Sequence, residues 1–102
     1  MEIDQVTLQQ QLANASCGSL LDVREDYELA RGILPGAIHI PMSQLETRVS
    51  ELSQDAAYVV YCEHGVRSLH VTAWMIHLGY KVQSLAGGFA EWRGPVQLPE
   101  TR

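Results

Sequence analysis

The chain has few basic residues and no long apolar run. Lysine and arginine number 7 against 12 acidic residues, and the formal net charge is −5 at pH 7. Nucleic-acid binding needs a Lys/Arg surface that neutralises phosphates, so the composition argues against it. The apolar runs are far too short to span a membrane, and the start, Met-Glu-Ile-Asp, lacks the order of a secretory signal. We therefore expect a cytoplasmic protein that contacts neither nucleic acid nor membrane.

Cysteine is nearly absent, and no metal-binding pattern occurs. The two cysteines, Cys17 and Cys62, lie 45 positions apart and form neither a C-x-x-C pair nor a zinc-type spacing with histidine. His70 and His77 are seven positions apart on one predicted helical face, too far apart to share an ion. We expect two free thiols, no metal and no cofactor, and we interpret Cys17 as a packing or turn residue.

Strand and helix patterns alternate along the chain. With 46% hydrophobic residues over 102 positions, the composition fits one globular domain, residues 1–102, that needs no disulfide to fold. The patterns predict helices at 7–15, at 25–31, from 43 and at 68–78, a short helical turn at 89–92, and strands at 19–23, within 32–41, at 57–61 and at 81–85. The tail from Gly94 shows no periodicity, so we expect it to be unstructured. This order predicts an α/β fold, a mostly parallel central sheet with helices on both faces.

One loop concentrates the reactive residue types. The predicted strand 57–61 is followed directly by Cys62, Glu63, His64, Gly65, Val66, Arg67 and Ser68, in that order. Backbone N–H groups from Glu63 to Ser68 can turn inward over the sulfur at a helix N-terminus, which favours a thiolate. Gly65 permits the bend, Arg67 adds a permanent positive charge, and Ser68 can cap the helix or donate to the sulfur. The loop therefore predicts that Cys62 is an accessible nucleophilic thiolate.

Several of these residues also allow a plainer interpretation. A cysteine at the end of a buried strand is often a small core residue, although the Gly-x-Arg-Ser sequence behind Cys62 favours a functional loop. His64 either influences the neighbouring thiol or is an exposed loop residue. Asp22 and Arg24 end the preceding strand at the same sheet edge. An ion pair that braces the loop is our first interpretation of them, and a direct contact with substrate is the second.

Five ordered motifs resemble the rhodanese homology domain, the single-domain sulfurtransferase. They are Leu21-Asp22-Val23-Arg24-Glu25, the segment 32–41 with Pro35-Gly36-Ala37, Val60-Tyr61-Cys62, the loop 62–68, and Gly87-Gly88-Phe89-Ala90-Glu91-Trp92. The resemblance spans nearly the whole chain and implies a rhodanese-like α/β fold. It also implies that Cys62 is the sulfur-carrying nucleophile and that residues 63–67 supply the amides around it.

The activity that this resemblance implies is ping-pong sulfur transfer. Cys62 takes the outer sulfur of a small anionic donor such as thiosulfate and passes it to cyanide or to a thiol, which can belong to a protein or a small molecule. The family often has histidine where this chain has Ile33, so a hydrogen bond from that position is not expected. Glu63 places a carboxylate beside the thiolate. It should oppose ionisation and repel a doubly charged donor, which favours a protein or low-molecular-weight persulfide as the donor.

Two other functions remain open. A phosphatase or arsenate reductase would use the same thiolate and arginine, but tyrosine phosphatases have C-x5-R, whereas Cys62 and Arg67 form C-x4-R. The smaller ring suits a single sulfur atom. A noncatalytic recruitment or regulatory module is the other alternative, because proteins that resemble this chain also use the fold in that way.

Overall fold

A parallel five-stranded sheet forms the centre of the structure, a computed structural model that describes residues 1–99. The strands are β1 (Glu2–Ile3), β2 (Ser19–Asp22), β3 (Ile38–His39), β4 (Ala57–Tyr61) and β5 (Lys81–Leu85), in the spatial order β1-β5-β4-β2-β3. The α-helices are α1 (Gln5–Ala13), α2 (Met42–Arg48), α3 (Val66–His77) and α4 (Gly88–Glu91), and 3₁₀ helices span Asp26–Arg31 and Val49–Glu51. Each neighbouring strand pair is parallel, which confirms the predicted α/β fold.

The central strand β4 is buried on both faces. Tyr58 and Val60 belong to one hydrophobic cluster, and Val59 and Tyr61 belong to the other. Successive side chains of a strand point to opposite faces, so a strand covered by helices on both sides has no polar face. This burial explains the unbroken apolar run from which the strand is predicted.

Helices cover the two faces of the sheet. On the first face, Leu45 of α2 and Val71 and Met75 of α3 pack against the sheet, and the residue that follows β4, Cys62, belongs to this cluster. On the second face, Leu8 of α1 and Phe89 of α4 complete the other cluster. The hydrophobic burial thereby fixes α3, and with it the N-terminal end of α3, against the carboxyl end of β4.

Two of the predicted helix starts are wrong. The helix α1 begins at Gln5 rather than Thr7, because the side chain of Asp4 is the N-cap and accepts the Thr7 N–H at 2.7 Å. The helix α3 begins at Val66 rather than Ser68, because Gly65 precedes it in a left-handed conformation with φ +91°. The earlier start of α3 brings Ser68 into its first turn, with consequences for the site.

Two pairings near the chain ends are absent from the sequence-based prediction. The two-residue strand β1 pairs with the edge of β5, and Ile3 lies opposite Leu85. The tail also contributes, because Gln97 forms an antiparallel bridge with Ile33 through N–H···O bonds of 2.8 Å in both directions. The prediction that the tail from Gly94 is unstructured is therefore wrong at Gln97, although residues 94–99 contain no helix or strand, and residues 100–102 lie outside the described part. Within residues 1–99, no helix has the length and apolar character needed to cross a membrane.

Candidate active site

The carboxyl ends of the central strands bring the predicted site residues to one edge of the sheet. Asp22 ends β2, and Cys62 follows the last residue of β4. Residues 86–87 follow β5, which is the other neighbour of β4. Parallel α/β sheets bind ligands at the carboxyl ends of their strands, and the topology places the Cys62 loop at that location.

The Cys62 sulfur accepts hydrogen bonds from two backbone amides. The Gly65 N–H donates to Sγ at 3.2 Å, and the Ser68 N–H donates to it at 3.3 Å. Both amides belong to the N-terminal end of α3, where N–H groups have no partner within the helix and where the helix dipole is positive. Hydrogen bonds of this kind favour a negative charge on the acceptor, so the site stabilises a sulfur anion.

A second backbone segment supports the loop from behind. The N–H groups of Phe89 and Ala90 donate to the carbonyl oxygens of Cys62 and Glu63 at 2.9 and 2.8 Å. This approach requires glycine at position 88, because a Cβ there would lie 2.6 Å from both oxygens. The close packing gives a physical reason for the second glycine of the Gly-Gly pair at the start of the last motif.

The burial of Cys62 differs from the prediction of an accessible thiolate. The residue is 1% exposed, and its sulfur lies at the base of the loop. The reason is the tight closure of the loop. Sγ accepts a hydrogen bond from the first turn of α3, and the carbonyl of Cys62 accepts one from the segment after β5.

Asp22, Arg24 and Glu63 form a buried ionic cluster. The guanidinium of Arg24 bonds Asp22 at 2.7 Å and Glu63 at 3.2 Å, and Arg31 also pairs with Glu63. The ion pair of our first interpretation is therefore present, and Arg24 is 0% exposed, so it has no surface to offer a substrate. The expectation that Glu63 opposes the thiolate changes as well, because two arginines compensate its charge.

Arg67 is also paired. Its guanidinium bonds both carboxylate oxygens of Glu28 at 2.7 and 2.6 Å, a bidentate geometry. The hydrogen bond with Arg67 lowers the pKa of Glu28 to about 2, and the same bond raises the pKa of Arg67. The positive charge of Arg67, predicted from the loop sequence, is therefore paired with the carboxylate of Glu28.

A cleft opens beside the loop. It has a volume of about 460 Å³ and is lined by Tyr27, Glu28, Ala30, Arg31, Glu63, His64 and Ala90. His64 is exposed, which matches the plainer of its two interpretations. Val66, the first residue of α3, is also largely exposed, at 65%. The cleft adjoins the ionic cluster and the loop through Arg31, Glu63 and His64, and its volume can hold a small molecule or a side chain of a partner.

Sequence reasoning missed Glu28 and Arg31. Both lie on the 3₁₀ helix Asp26–Arg31, which follows β2 at the same sheet edge. A signal for Glu28 existed in the chain, because Glu25 and Glu28 have capping-box spacing and the box forms in the structure. That signal predicts a helix start; it does not predict that the second carboxylate reaches Arg67.

The other predicted residues lie apart from the site. Cys17 precedes β2, at the opposite edge of the sheet from the loop, and its S–H donates to the Gly18 carbonyl at 2.8 Å. In residues 1–99, no three His, Cys, Asp or Glu side chains form a group that could hold a metal ion.

A family model, related sequences and solved structures agree in what this chain resembles. A family model described as a rhodanese-like domain matches residues 4–95. A sulfurtransferase of Allochromatium vinosum is 37% identical over 103 aligned positions, which cover 97% of this chain and 96% of that protein. The thiosulfate sulfurtransferase GlpE of Coxiella burnetii is 31% identical over 75 residues, 72% of this chain and 70% of the relative. The crystal structure of a rhodanese-related protein from Thermoplasma volcanium matches with a TM-score of 0.89 at 32% identity and covers 96% of this chain and 98% of its own.

Proposed function

Because this chain belongs to the rhodanese-like sulfurtransferase family, we propose that it moves a sulfane sulfur from thiosulfate or another persulfide donor to cyanide or a thiol through a persulfide on Cys62. The observation that carries the proposal is the pair of amides, Gly65 N–H and Ser68 N–H, that donate to the Cys62 sulfur. Donors in these positions stabilise the attacking thiolate and an anionic persulfide alike.

In the first half-reaction, the Cys62 thiolate attacks the outer sulfur of the donor. A bond forms between Sγ and that sulfur, and the bond from the outer sulfur to the rest of the donor breaks. The electron pair of the broken bond leaves with the donor, as sulfite when the donor is thiosulfate. No external oxidant or reductant is consumed.

In the second half-reaction, the acceptor attacks the outer sulfur of the persulfide. Cyanide or a thiolate forms a bond to this sulfur, the S–S bond to Cys62 breaks, and its electron pair returns to Sγ as the thiolate. The amides of Gly65 and Ser68 again lie where this charge develops. The chain then begins the next cycle in its starting state.

The charges around the loop bear on the choice of donor. Arg24, Arg31 and Arg67 each have a carboxylate partner, so the charges of these arginines are compensated. A dianion such as thiosulfate gains less from paired arginines than from free ones. The arrangement supports an organic persulfide, on a protein or on a small molecule, as the preferred donor.

Intact-mass spectrometry tests the proposal. Incubation with thiosulfate or with a small-molecule persulfide should add the mass of one sulfur atom, and subsequent cyanide should remove it as thiocyanate. The Cys62→Ser variant should gain nothing, whereas the matched Cys17→Ser variant should load like the wild type. Sulfur transfer that persists in Cys62→Ser would overturn the mechanism.

The burial of Cys62 favours a second candidate function. A cysteine that is 1% exposed is also what a noncatalytic recruitment or regulatory module would contain. The same measurement separates the two functions: a wild-type chain that gains no sulfur from either donor supports the module. Release of phosphate from an aryl phosphate, lost in Cys62→Ser, would instead indicate the phosphatase alternative.

A further inference from the structure

A buried chain of hydroxyl groups lies behind the Cys62 sulfur. As a thiol, Cys62 donates its S–H to the Ser68 Oγ at 3.4 Å, and the Ser68 Oγ lies 2.8 Å from the Ser84 Oγ, where either hydroxyl can be the donor. Both serines are 0% exposed. Ser84 lies on β5, outside the loop and outside each motif by which the site is identified. Its side chain nevertheless extends the hydrogen-bond system of the reactive sulfur into the core.

The number of hydrogens in this chain depends on the state of the sulfur. Three atoms in a row have two links, and each serine hydroxyl supplies one hydrogen. When the sulfur has no proton, Ser84 donates to Ser68 and Ser68 donates to Sγ, so both hydrogens have an acceptor. When Cys62 is a thiol, a third hydrogen is present, and either the S–H or the Ser84 O–H lacks a partner in the chain. An unmet buried donor is unfavourable, so the arrangement favours a sulfur without a proton.

Both states of the sulfur that sulfur transfer requires meet this condition. The thiolate is a charged acceptor for the Ser68 hydroxyl, and in the persulfide Sγ is bonded to the outer sulfur and has no proton. We propose that Ser84 is a positioning residue for Cys62, acting through the Ser68 hydroxyl to keep a donor on the sulfur during the proposed sulfur transfer, the function on which this inference rests.

Thr72 provides the contrast within the same face of the sheet. It follows Ser68 by one turn on α3 and is also 0% exposed. Its Oγ1, however, has no hydrogen-bond partner among the described residues. A buried hydroxyl on this face is therefore not joined to the sulfur by default, and the link through Ser84 is specific to that position.

The charged groups around the sulfur do not depend on Ser84. Arg67 is close enough for its charge to interact with Cys62, and it is paired with Glu28. Glu63, the residue after the cysteine, is paired with Arg24 and Arg31. On the side of β5, Ser84 supplies a neutral hydroxyl. A change in pH dependence on removal of the Ser84 hydroxyl would therefore report the hydroxyl chain and not a lost ion pair.

The experiment measures the rate of Cys62 modification against pH, in the full chain with Cys17→Ser as the background. Two reactions are followed by intact mass, alkylation by iodoacetamide and sulfur loading from thiosulfate. In Ser84→Ala we expect the half-maximal pH of both rates to rise by about one unit and both rates to fall by up to about tenfold below the half-maximal pH of the parent, because one hydrogen bond to a charged acceptor is weakened. At high pH the rates should return towards those of the parent.

Two further variants identify the route of the effect. Ser68→Ala should shift the profile in the same direction, and adding Ser84→Ala to it should cause no further shift, since Ser84 acts through Ser68. Thr72→Val removes a buried hydroxyl that is not linked to the sulfur and should leave the profile in place. Additive shifts from Ser68→Ala and Ser84→Ala, or an unchanged profile in Ser84→Ala, would overturn the role of Ser84.

The outcome also separates this inference from the proposed function. If the parent alkylates but loads no sulfur, sulfur transfer is wrong, and the alkylation profile still decides whether Ser84 supports the sulfur anion. If the parent loads sulfur and Ser84→Ala has the same profile, the function stands and the role of Ser84 is wrong. A Cys62 that reacts with neither reagent at any pH overturns both.

Discussion

The two cysteines show how the partner of a sulfur decides its chemistry. Cys62 accepts hydrogen bonds from the N–H groups of Gly65 and Ser68, and as a thiol it also donates to the Ser68 hydroxyl, whereas Cys17 donates its S–H to the carbonyl of Gly18. Amide donors favour an anion, and a carbonyl acceptor favours the protonated thiol. Burial raises the pKa of Cys17 as well. Burial alone therefore does not distinguish a reactive from an inert cysteine, since Cys62 is the more buried of the two.

The difference arises from the polarity of the sheet. Cys17 lies before the first residue of β2, and Cys62 lies after the last residue of β4. Because these two neighbouring strands are parallel, the two sulfurs lie at opposite ends of the strands. Only the carboxyl end receives the start of a helix, α3, with its unpaired N–H groups. Substitutions around one sulfur should consequently leave the other unchanged, and this independence can be tested.

The largest effect should come from Arg24→Met. This change leaves the buried carboxylates of Asp22 and Glu63 without their shared partner, and we expect a loss of about 3–5 kcal/mol in the free energy of unfolding. Arg48→Met is the matched control, because Arg48 pairs with Glu51 at the surface, where solvent screens an ion pair and its loss should be much smaller. Urea unfolding measures both variants. Equal losses would show that the buried cluster is not what holds the Cys62 loop.

Gly88→Ala should have the second-largest effect. The added Cβ would lie 2.6 Å from the carbonyl oxygens of Cys62 and Glu63, and glycine 88 has φ +64°. We expect a loss of about 2–4 kcal/mol and slower sulfur loading, because the loop must shift away from the segment that supports it.

Gly36→Ala is the control for this substitution. Gly36 has a similar φ of +76°, but nothing lies within 4 Å of its Cβ position, so only the backbone strain of about 1–2 kcal/mol applies. Urea unfolding and intact-mass loading of the two variants separate strain from collision. If Gly88→Ala loads sulfur as fast as Gly36→Ala, the support of the Cys62 loop by α4 has no functional role.

The fold is predictable where local signals suffice. The bounds of β4 and β5 agree with the predicted strands 57–61 and 81–85, because an apolar run and its flanking turn residues are contiguous in the chain. The start of α1 is less predictable, since Asp4 and Thr7 both suit an N-cap and only the structure shows which one accepts the bond. Strand β1 has only two residues and forms through its pairing with β5. No local sequence pattern predicts this pairing.

The site residues show the same difference between local and distant signals. Cys62, Gly65 and Ser68 lie within seven consecutive positions, so their meeting could be predicted from spacing and helix physics. Glu28 and Ser84 come from other elements, and their contact with the loop depends on how those elements pack. The burial of Cys62 and the pairing of Glu63 have the same origin. Properties that depend on distant segments were therefore the ones that the sequence did not reveal.

Glu28→Gln should have a smaller effect, on donor preference. The substitution removes the negative charge paired with Arg67 and keeps an acceptor for the Glu25 N–H in the capping box. We expect the loading rate with thiosulfate to rise about tenfold relative to that with an organic persulfide, because a dianion no longer approaches a carboxylate. Glu51→Gln changes the net charge equally but lies at the exposed pair with Arg48. A similar rise in Glu51→Gln would assign the effect to total charge.

The same variant predicts a pH dependence of stability. Arg67 holds the pKa of Glu28 at about 2, below the ordinary 4.5, so the folded state binds this proton more weakly than the unfolded state. The stabilisation is fully present above pH 4.5 and is lost as the pH falls towards 2. Urea unfolding across this window should show a steeper loss in the wild type than in Glu28→Gln. Parallel curves would mean that the ion pair contributes nothing in solution.

Cys17→Ser should have the smallest effect. A serine hydroxyl can donate to the same Gly18 carbonyl, and the site is half-buried, so we expect a change below about 1 kcal/mol and unchanged sulfur loading. Because burial raises the pKa of Cys17 above 9.0, its contribution to stability is present below that pH and is lost as the pH rises through the higher folded value. Urea unfolding at neutral pH and near about pH 10 should therefore show a larger alkaline loss in the wild type than in the variant. Slower sulfur loading in Cys17→Ser would mean that the two ends of the sheet are coupled, and the contrast between a donor-bound and an acceptor-bound sulfur would no longer explain which cysteine reacts.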